Sequence, residues 1–352
     1  MRVLHVDTAR EWRGGQTQLL HLARGSGDAV ALPSDAALRP ALEAAGVEVL
    51  PVDFHGAIRG IGGLVSVIRR WKPDLVAAHT AHAHGQAVLA GRAPVVVHRR
   101  VDFVPGRGPV SRWKRSRAAG WIAVSDAVAR VLEGVGVEAS QIAVVRDGVD
   151  PAPFAAVGPE ARAEVRRELG IPEDAVVVGA VGALVPHKGH KHLIEALAWL
   201  DNQRQDVWGV IAGEGPERAA LQAAAEKWTI APRVRLLGQR ADVPRLLRAF
   251  DVFAHPSVEE GLGQAVIEAM LAGVPVVVSQ AGGIPELVDD LTTGLIVRAG
   301  EGDALARALN AAIRGRDRSL QRAVVAQERA RGWSVAAMVA GTREAYGRFA
   351  RR

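Results

Sequence analysis

Twice along this chain a short apolar run leads into a glycine-bearing loop and then into a helix-period pattern. That order constrains the fold more than any other feature. The first occurrence is an apolar run at 3–6, Gly14-Gly15 in a loop, and a helix opening near Gln16 with Leu19, Leu20 and Leu22 on its apolar side. Further strand candidates fall at 47–52, 75–78, 95–98, 121–124 and 142–145, with helical stretches such as 61–71 and 126–132 between them. Pro151, Pro153 and Pro159 then interrupt the pattern and read as a linker. After them the scheme restarts, with a strand at 176–181, a loop at 182–189 and a helix at 190–200. Strands follow at 208–212, 234–236, 252–254 and 274–278. Such alternation predicts parallel sheets with helices on both faces, an α/β fold. The restart predicts two domains, 1–155 and 156–333, with a closing helix at 334–351 packed back on the first. A length of 352 residues suits two cores better than one.

Composition narrows the function without naming it. With 49% hydrophobic and 23% charged residues the chain reads as globular. It has no cysteine, which excludes disulfides and thiolate metal sites. The opening apolar run breaks at Asp7, so no secretory leader is expected, and no stretch stays apolar long enough to span a bilayer. A cytoplasmic location is expected. The net charge of +6 includes a cluster of Arg107, Arg112, Lys114, Arg115 and Arg117 around Trp113. It reads first as a solvated helix face; peripheral contact with the inner face of the cell membrane is the sharper alternative. With 4% aromatics and no nucleic-acid-binding signature, no nucleic-acid partner is expected.

The segment from Ser257 to Glu286 carries the most chemistry. Glu260 follows a strand candidate, Gly261 and Gly263 let backbone amides approach a ligand, and a helix then begins with Glu268 in its second turn. Free amides at a helix start suit a phosphate, and carboxylates beside it accept from sugar or ribose hydroxyls. Glu260, seven intervening residues, Glu268, the Gly-Val-Pro-Val-Val-Val run and Gly282-Gly283 resemble the signature of family-four (GT4) retaining glycosyltransferases of bacterial glycan and glycolipid assembly. The resemblance extends to Gly14-Gly15, Ser125, Asp147-Gly148-Val149-Asp150, His187-Lys188-Gly189 and Gly213-Glu214-Gly215-Pro216.

The resemblance implies a GT-B fold, two facing Rossmann-like domains with the active site in the inter-domain cleft. It implies transfer of a hexose from a nucleotide-diphosphate sugar to a glycan or lipid-linked acceptor. Glu268 is then expected to hold the donor ribose and Glu260 a donor-sugar hydroxyl. Leu262, Gly263 and Gln264, beside Gly261 and with Gly15, are expected to grip the diphosphate. Lys188 is expected to neutralise the leaving phosphate, with Gly213 beside it, and Leu237, Gly238 and Gln239 to lie near the base. His98 takes the place of the family's active-centre histidine. Trp12, Arg13, Gln16, His79, Arg99 and Arg100 are acceptor-side candidates. No cofactor and no metal are expected, because the chain has no Asp-x-Asp motif and Lys188 with a helix start can stabilise the leaving group instead. Glu260 is assigned to binding rather than to the nucleophile role of retaining hydrolases.

Two departures from the family pattern stand out. Ala183 replaces the usual arginine, so Arg99, Arg100 or Arg146 must supply the missing charge or donor binding is weakened. Asp147 replaces an asparagine. The first departure keeps open a partner subunit that binds nucleotide sugar without catalysis, and a nucleotide-sugar 2-epimerase is the remaining alternative. His79, His82 and His84, like His187, His190 and His192, read more plainly as hydrogen-bonded residues than as metal ligands.

Overall fold

The computed structural model describes residues 1–203 and 206–351, and the chain divides into two compact units. The first is Met1–Gly148 with Ser334–Arg352; the second is Val149–Trp333. The first unit holds strands β1 (Val3–Val6), β2 (Ala29–Leu32), β3 (Val49–Pro51), β4 (Leu75–Ala78), β5 (Val95–Arg99), β6 (Gly120–Ala123) and β7 (Ile142–Val144). They form one parallel sheet in the order β3-β2-β1-β4-β5-β6-β7. The second unit holds β8 (Val176–Val181), β9 (Val207–Ala212), β10 (Val234–Gly238), β11 (Val252–His255), β12 (Val276–Gln280) and β13 (Leu295–Arg298). Its parallel order is β10-β9-β8-β11-β12-β13. Most of these strands are buried along their length, which is why they read as unbroken apolar runs.

Both sheets are doubly wound. The strand order turns back between β1 and β4 in the first and between β8 and β11 in the second. The loops that leave the carboxyl ends of those four strands are therefore where each unit presents a ligand crevice. β2 and β13 escape the sequence reading: Ala29-Val30-Ala31-Leu32 lacks the β-branched density that marks β5 or β8.

The unit boundary lies earlier than the expected 155/156 division. The Val149 amide donates to the Trp333 carbonyl at 2.9 Å, which ties the second unit's two ends together. Two of the three prolines meant for a linker, Pro151 and Pro153, instead start a short helix, Ala152–Ala155, whose Phe154 is buried. Proline is tolerated there because first-turn amides have no helical partner to lose.

The helix Val335–Ala350 belongs to the first unit, and Ser334 caps it by accepting from the Ala337 amide at 3.2 Å. Tyr346 and Phe349 are fully buried against Val3, Leu75, Ala77, Val96 and Ile122. Gly120 is the residue that admits the ring, since a Cβ there would stand 2.3 Å from Phe349. Phe349→Ala is expected to cost about 3–5 kcal/mol by transfer and cavity terms together. Denaturant unfolding followed on the first unit checks this, and a loss below about 1 kcal/mol would mean that the core closes without the helix.

Candidate active site

In the second unit the loop after β8 and the loop after β11 are locked together. Val258 and Glu259 donate their amides to the His187 carbonyl at 2.8 and 3.4 Å. Gly189 makes this approach possible: it sits at φ 64°, and a Cβ would fall 2.1 Å from the Pro256 carbonyl oxygen. The loops thereby place Lys188 Nζ 2.5 Å from a Glu260 carboxylate oxygen. The same oxygen receives His255 Nε2 at 2.8 Å and Ser257 Oγ at 3.3 Å.

Burial works to raise the Glu260 carboxyl, but Lys188 and then His255 pull it well below the usual carboxylate range. Glu260 is therefore an anion fixed in place. His190 lies beneath the loop, pushed down to about 4 by burial first and then by His255 and Lys188 beside it, so its ring is neutral.

The next turn makes the anion site. Gly263, at φ 102°, starts the helix Gln264–Leu271, and a Cβ on it would strike Ile284 at 2.3 Å. The amides of Leu262, Gly263 and Gln264 donate to no described group, so they are available to an anion at the positive helix end. Glu268 is half-buried on the same helix, and its carboxyl is pushed up to about 7 by desolvation alone. Among the described residues it has no hydrogen-bond or ion-pair partner.

The loops after β9 and β10 join through the Gly213 amide, which donates to the Gly238 carbonyl at 2.8 Å, with Leu237 and Gln239 flanking it. Arg218 donates to Leu236 O at 2.9 Å and pairs with Glu214 at 3.3 Å, which puts a cation beside this loop. Ala183 is exposed.

In the first unit the strand ends carry a buried polar chain. His98, at the end of β5 and 7% exposed, meets Tyr346 Oη at 2.5 Å and stacks on His79 with ring centroids 4.3 Å apart. His79 meets His5 at 2.9 Å, and Arg100 contacts His79 at 3.1 Å while pairing with Asp147 at 3.1 Å. Burial first, then the neighbouring positive groups, hold both His79 and His98 well below the usual histidine range. Arg99 turns away, stacking over Phe103 and donating to its carbonyl.

Gln16 is buried, donating to Asp7 at 2.9 Å and accepting from the Arg13 amide at 3.1 Å. It braces the loop after β1 more than it offers itself to a ligand. Trp12 and Arg13 are exposed, bonded to Thr17 and Glu11. Gly15 lies beside Arg100, whose side chain stands 4.0 Å from where its Cβ would be. Arg146 is held by Asp126 at 2.7 Å. His84 bonds the Lys114 carbonyl at 3.1 Å and His82 bonds Gln86 at 3.0 Å, so these two diverge from His79.

The family profile "Glycosyl transferases group 1" matches residues 161–331, and "Glycosyltransferase Family 4" matches residues 14–153. A 2-deoxystreptamine glucosyltransferase of Streptomyces kanamyceticus is 33% identical over 270 residues, 69% of this chain and 69% of that protein. This chain is a family 4 glycosyltransferase. A D-inositol 3-phosphate glycosyltransferase of Nocardia farcinica is 32% identical over 79% of the transferase and 62% of its own length. The crystal structure of Anabaena HepE in complex with UDP superposes with a TM-score of 0.89 at 27% identity, covering 99% of this chain and 100% of that one. HepE has also been solved with UDP-glucose, at a TM-score of 0.88. The GT-B, α/β architecture expected from the sequence is thus the one present, and the partner-subunit and epimerase alternatives are not favoured.

Three residues of the candidate site were given no role in the sequence reading. His255 and Ser257 hold Glu260, and Arg218 flanks Gly238. A histidine closing β11 five residues before Glu260 was the available signal for the first.

Proposed function

We propose that the transferase moves a hexose from a uridine-diphosphate sugar to a hydroxyl acceptor, with retention at the anomeric carbon and without a metal ion. The observation that carries this is one cluster in the second unit: Lys188 ion-paired to Glu260, three available amides at the start of Gln264–Leu271, and the unpartnered Glu268. Glu268 accepts from the ribose hydroxyls, the amides of Leu262, Gly263 and Gln264 hold the diphosphate, and Glu260 accepts from a sugar hydroxyl. The bond between the anomeric carbon and the phosphate oxygen breaks with its electron pair on the leaving diphosphate. Lys188 and the helix end stabilise that charge. The acceptor oxygen bonds the same face, and its proton passes to the leaving phosphate oxygen.

HepE's complexes with UDP and UDP-glucose support the choice of base and sugar. The acceptor is read as a glycan or lipid-linked hydroxyl. The relatives named for 2-deoxystreptamine and D-inositol 3-phosphate favour a free polyhydroxylated ring as the alternative. No described helix is long and apolar enough to cross a membrane. Contact with an anionic bilayer, where acceptor delivery needs it, falls on exposed Phe103, Val104, Val110 and Trp113 beside Arg107 and Arg112.

Calorimetry with UDP, GDP, ADP and their glucose conjugates, in chelator, tests the donor assignment. Selective UDP binding without metal is expected; binding of no diphosphate, or binding that requires a divalent ion, would refute it. The anomeric configuration of the product, read by NMR, tests retention.

A further inference from the structure

The second unit carries a cavity at the other end of its sheet, lined where β8, β11 and β12 begin by Val176, Val252 and the Val274-Pro275 turn. Its volume is about 160 Å³, room for a tetrahedral oxyanion with a small organic group. Lys188 and Glu260 stand beyond the opposite ends of those strands. A six-residue strand such as β8 puts about 20 Å between the two places.

The charge at this cavity is one-sided. Arg162, Arg248 and Arg316 line it against a single carboxylate, Asp251. Asp251 is already shared: Arg162 and, from behind the wall, the buried Arg166 both reach it at 2.7 Å. Arg166 is satisfied by that contact and by the carbonyls of Glu173, Ala175 and Ala249. Arg248 donates to the Val157 carbonyl at 3.0 Å and to Ala272 O at 3.5 Å, while its buried Nε finds no partner. Arg316 makes no hydrogen bond or ion pair to any described residue. Arg248 and the exposed Arg316 are paired with no described carboxylate, and beside an apolar wall such guanidinium groups suit one chemistry, a phosphate dianion on a small organic body.

We infer that this cavity is a second binding site of the transferase, distinct from the donor site, for a small phosphate monoester. Arg248 joins it to the helix Gln264–Leu271, since the Ala272 carbonyl that it contacts immediately follows that helix. The binding claim itself does not depend on which donor the enzyme uses.

Isothermal titration in low-salt buffer with inorganic phosphate and with phenyl phosphate tests the site, with phenol as the uncharged control. The wild type is expected to bind both phosphates saturably, the phenyl ester more tightly, and phenol not at all. Arg316→Gln, which removes no hydrogen bond or ion pair to a described residue, is expected to weaken binding at least tenfold, and Arg162→Gln likewise. Lys188→Ala is expected to leave it unchanged. Absence of saturable binding in the wild type overturns the inference, as does binding lost in Lys188→Ala and retained in Arg316→Gln. Phenyl phosphate binding no tighter than inorganic phosphate would reduce the site to a simple phosphate pocket and overturn the organic part.

Discussion

Lys188→Ala is expected to lower the turnover of sugar transfer about 10³-fold, on the scale seen when a preorganised stabiliser of developing charge is removed. Two effects combine in this variant and can be separated. The first is catalytic: the departing diphosphate loses the lysine paired with Glu260. The second is structural. Glu260 would remain anionic beside His255 and Ser257, and the carboxylate is 12% exposed. Breaking such a pair costs between about 1 and 3 kcal/mol, less than a fully buried pair because Lys188 keeps 20% of its side chain in solvent. The double variant Lys188→Ala with Glu260→Gln removes the orphaned charge. It should recover most of the thermal stability and none of the turnover. Near-normal kcat in Lys188→Ala would show that another cation does the work.

The second large effect concerns Glu268 and pH. Its carboxyl lies near 7 because burial penalises the charge, against an ordinary value of 4.5. The folded free enzyme therefore keeps a proton that the unfolded chain has already released. Stability is greatest below about pH 4.5 as far as this group is concerned and falls as pH rises toward 7. The loss is on the order of 2 kcal/mol, held below the full shift because the residue keeps some exposure.

Donor binding should move the other way. Ribose hydroxyls donate best to the ionised carboxylate, so affinity for UDP-glucose should tighten as pH rises through about 7. A nucleotide sugar suits this measurement because its own phosphates do not titrate there. Glu268→Gln should flatten both profiles, and at pH 8 it should weaken donor binding about 10²-fold through loss of two charge-assisted bonds. Parallel pH profiles in wild type and variant would remove Glu268 from the ribose.

How much of this was readable beforehand depends on how local each feature is. The two parallel sheets were legible because a strand buried on both faces leaves an apolar run, and β8 was bounded at 176–181 as found. β2 was lost because its composition is weak, and β13, although apolar, because it is only four residues long and pairing with β12 makes it a strand. The Glu260–Glu268 spacing was legible because a loop and the helix after it are contiguous. What secures Glu260 was less so: His255 and Ser257 look like ordinary strand-end residues until they meet, on one Glu260 oxygen, Lys188 from 72 positions earlier in the chain. His98 was marked by its place at the end of β5. Its partner Tyr346 lies 248 residues further on, in the closing helix, whose return to the first domain was expected but whose contact with His98 no local pattern specifies. The proline stretch misled because proline at a helix start and proline in a linker leave the same mark in sequence.

The closing helix has a consequence for how the chain assembles. The second unit is contiguous, so every residue it needs has been synthesised by Trp333. The first unit, though most of it precedes the second in the chain, lacks Tyr346 and Phe349 from its core until the helix Val335–Ala350 has been made. Domains generally fold as units during synthesis. Here the half translated first is the half completed last, and its sheet waits with an uncovered apolar face while the other half forms.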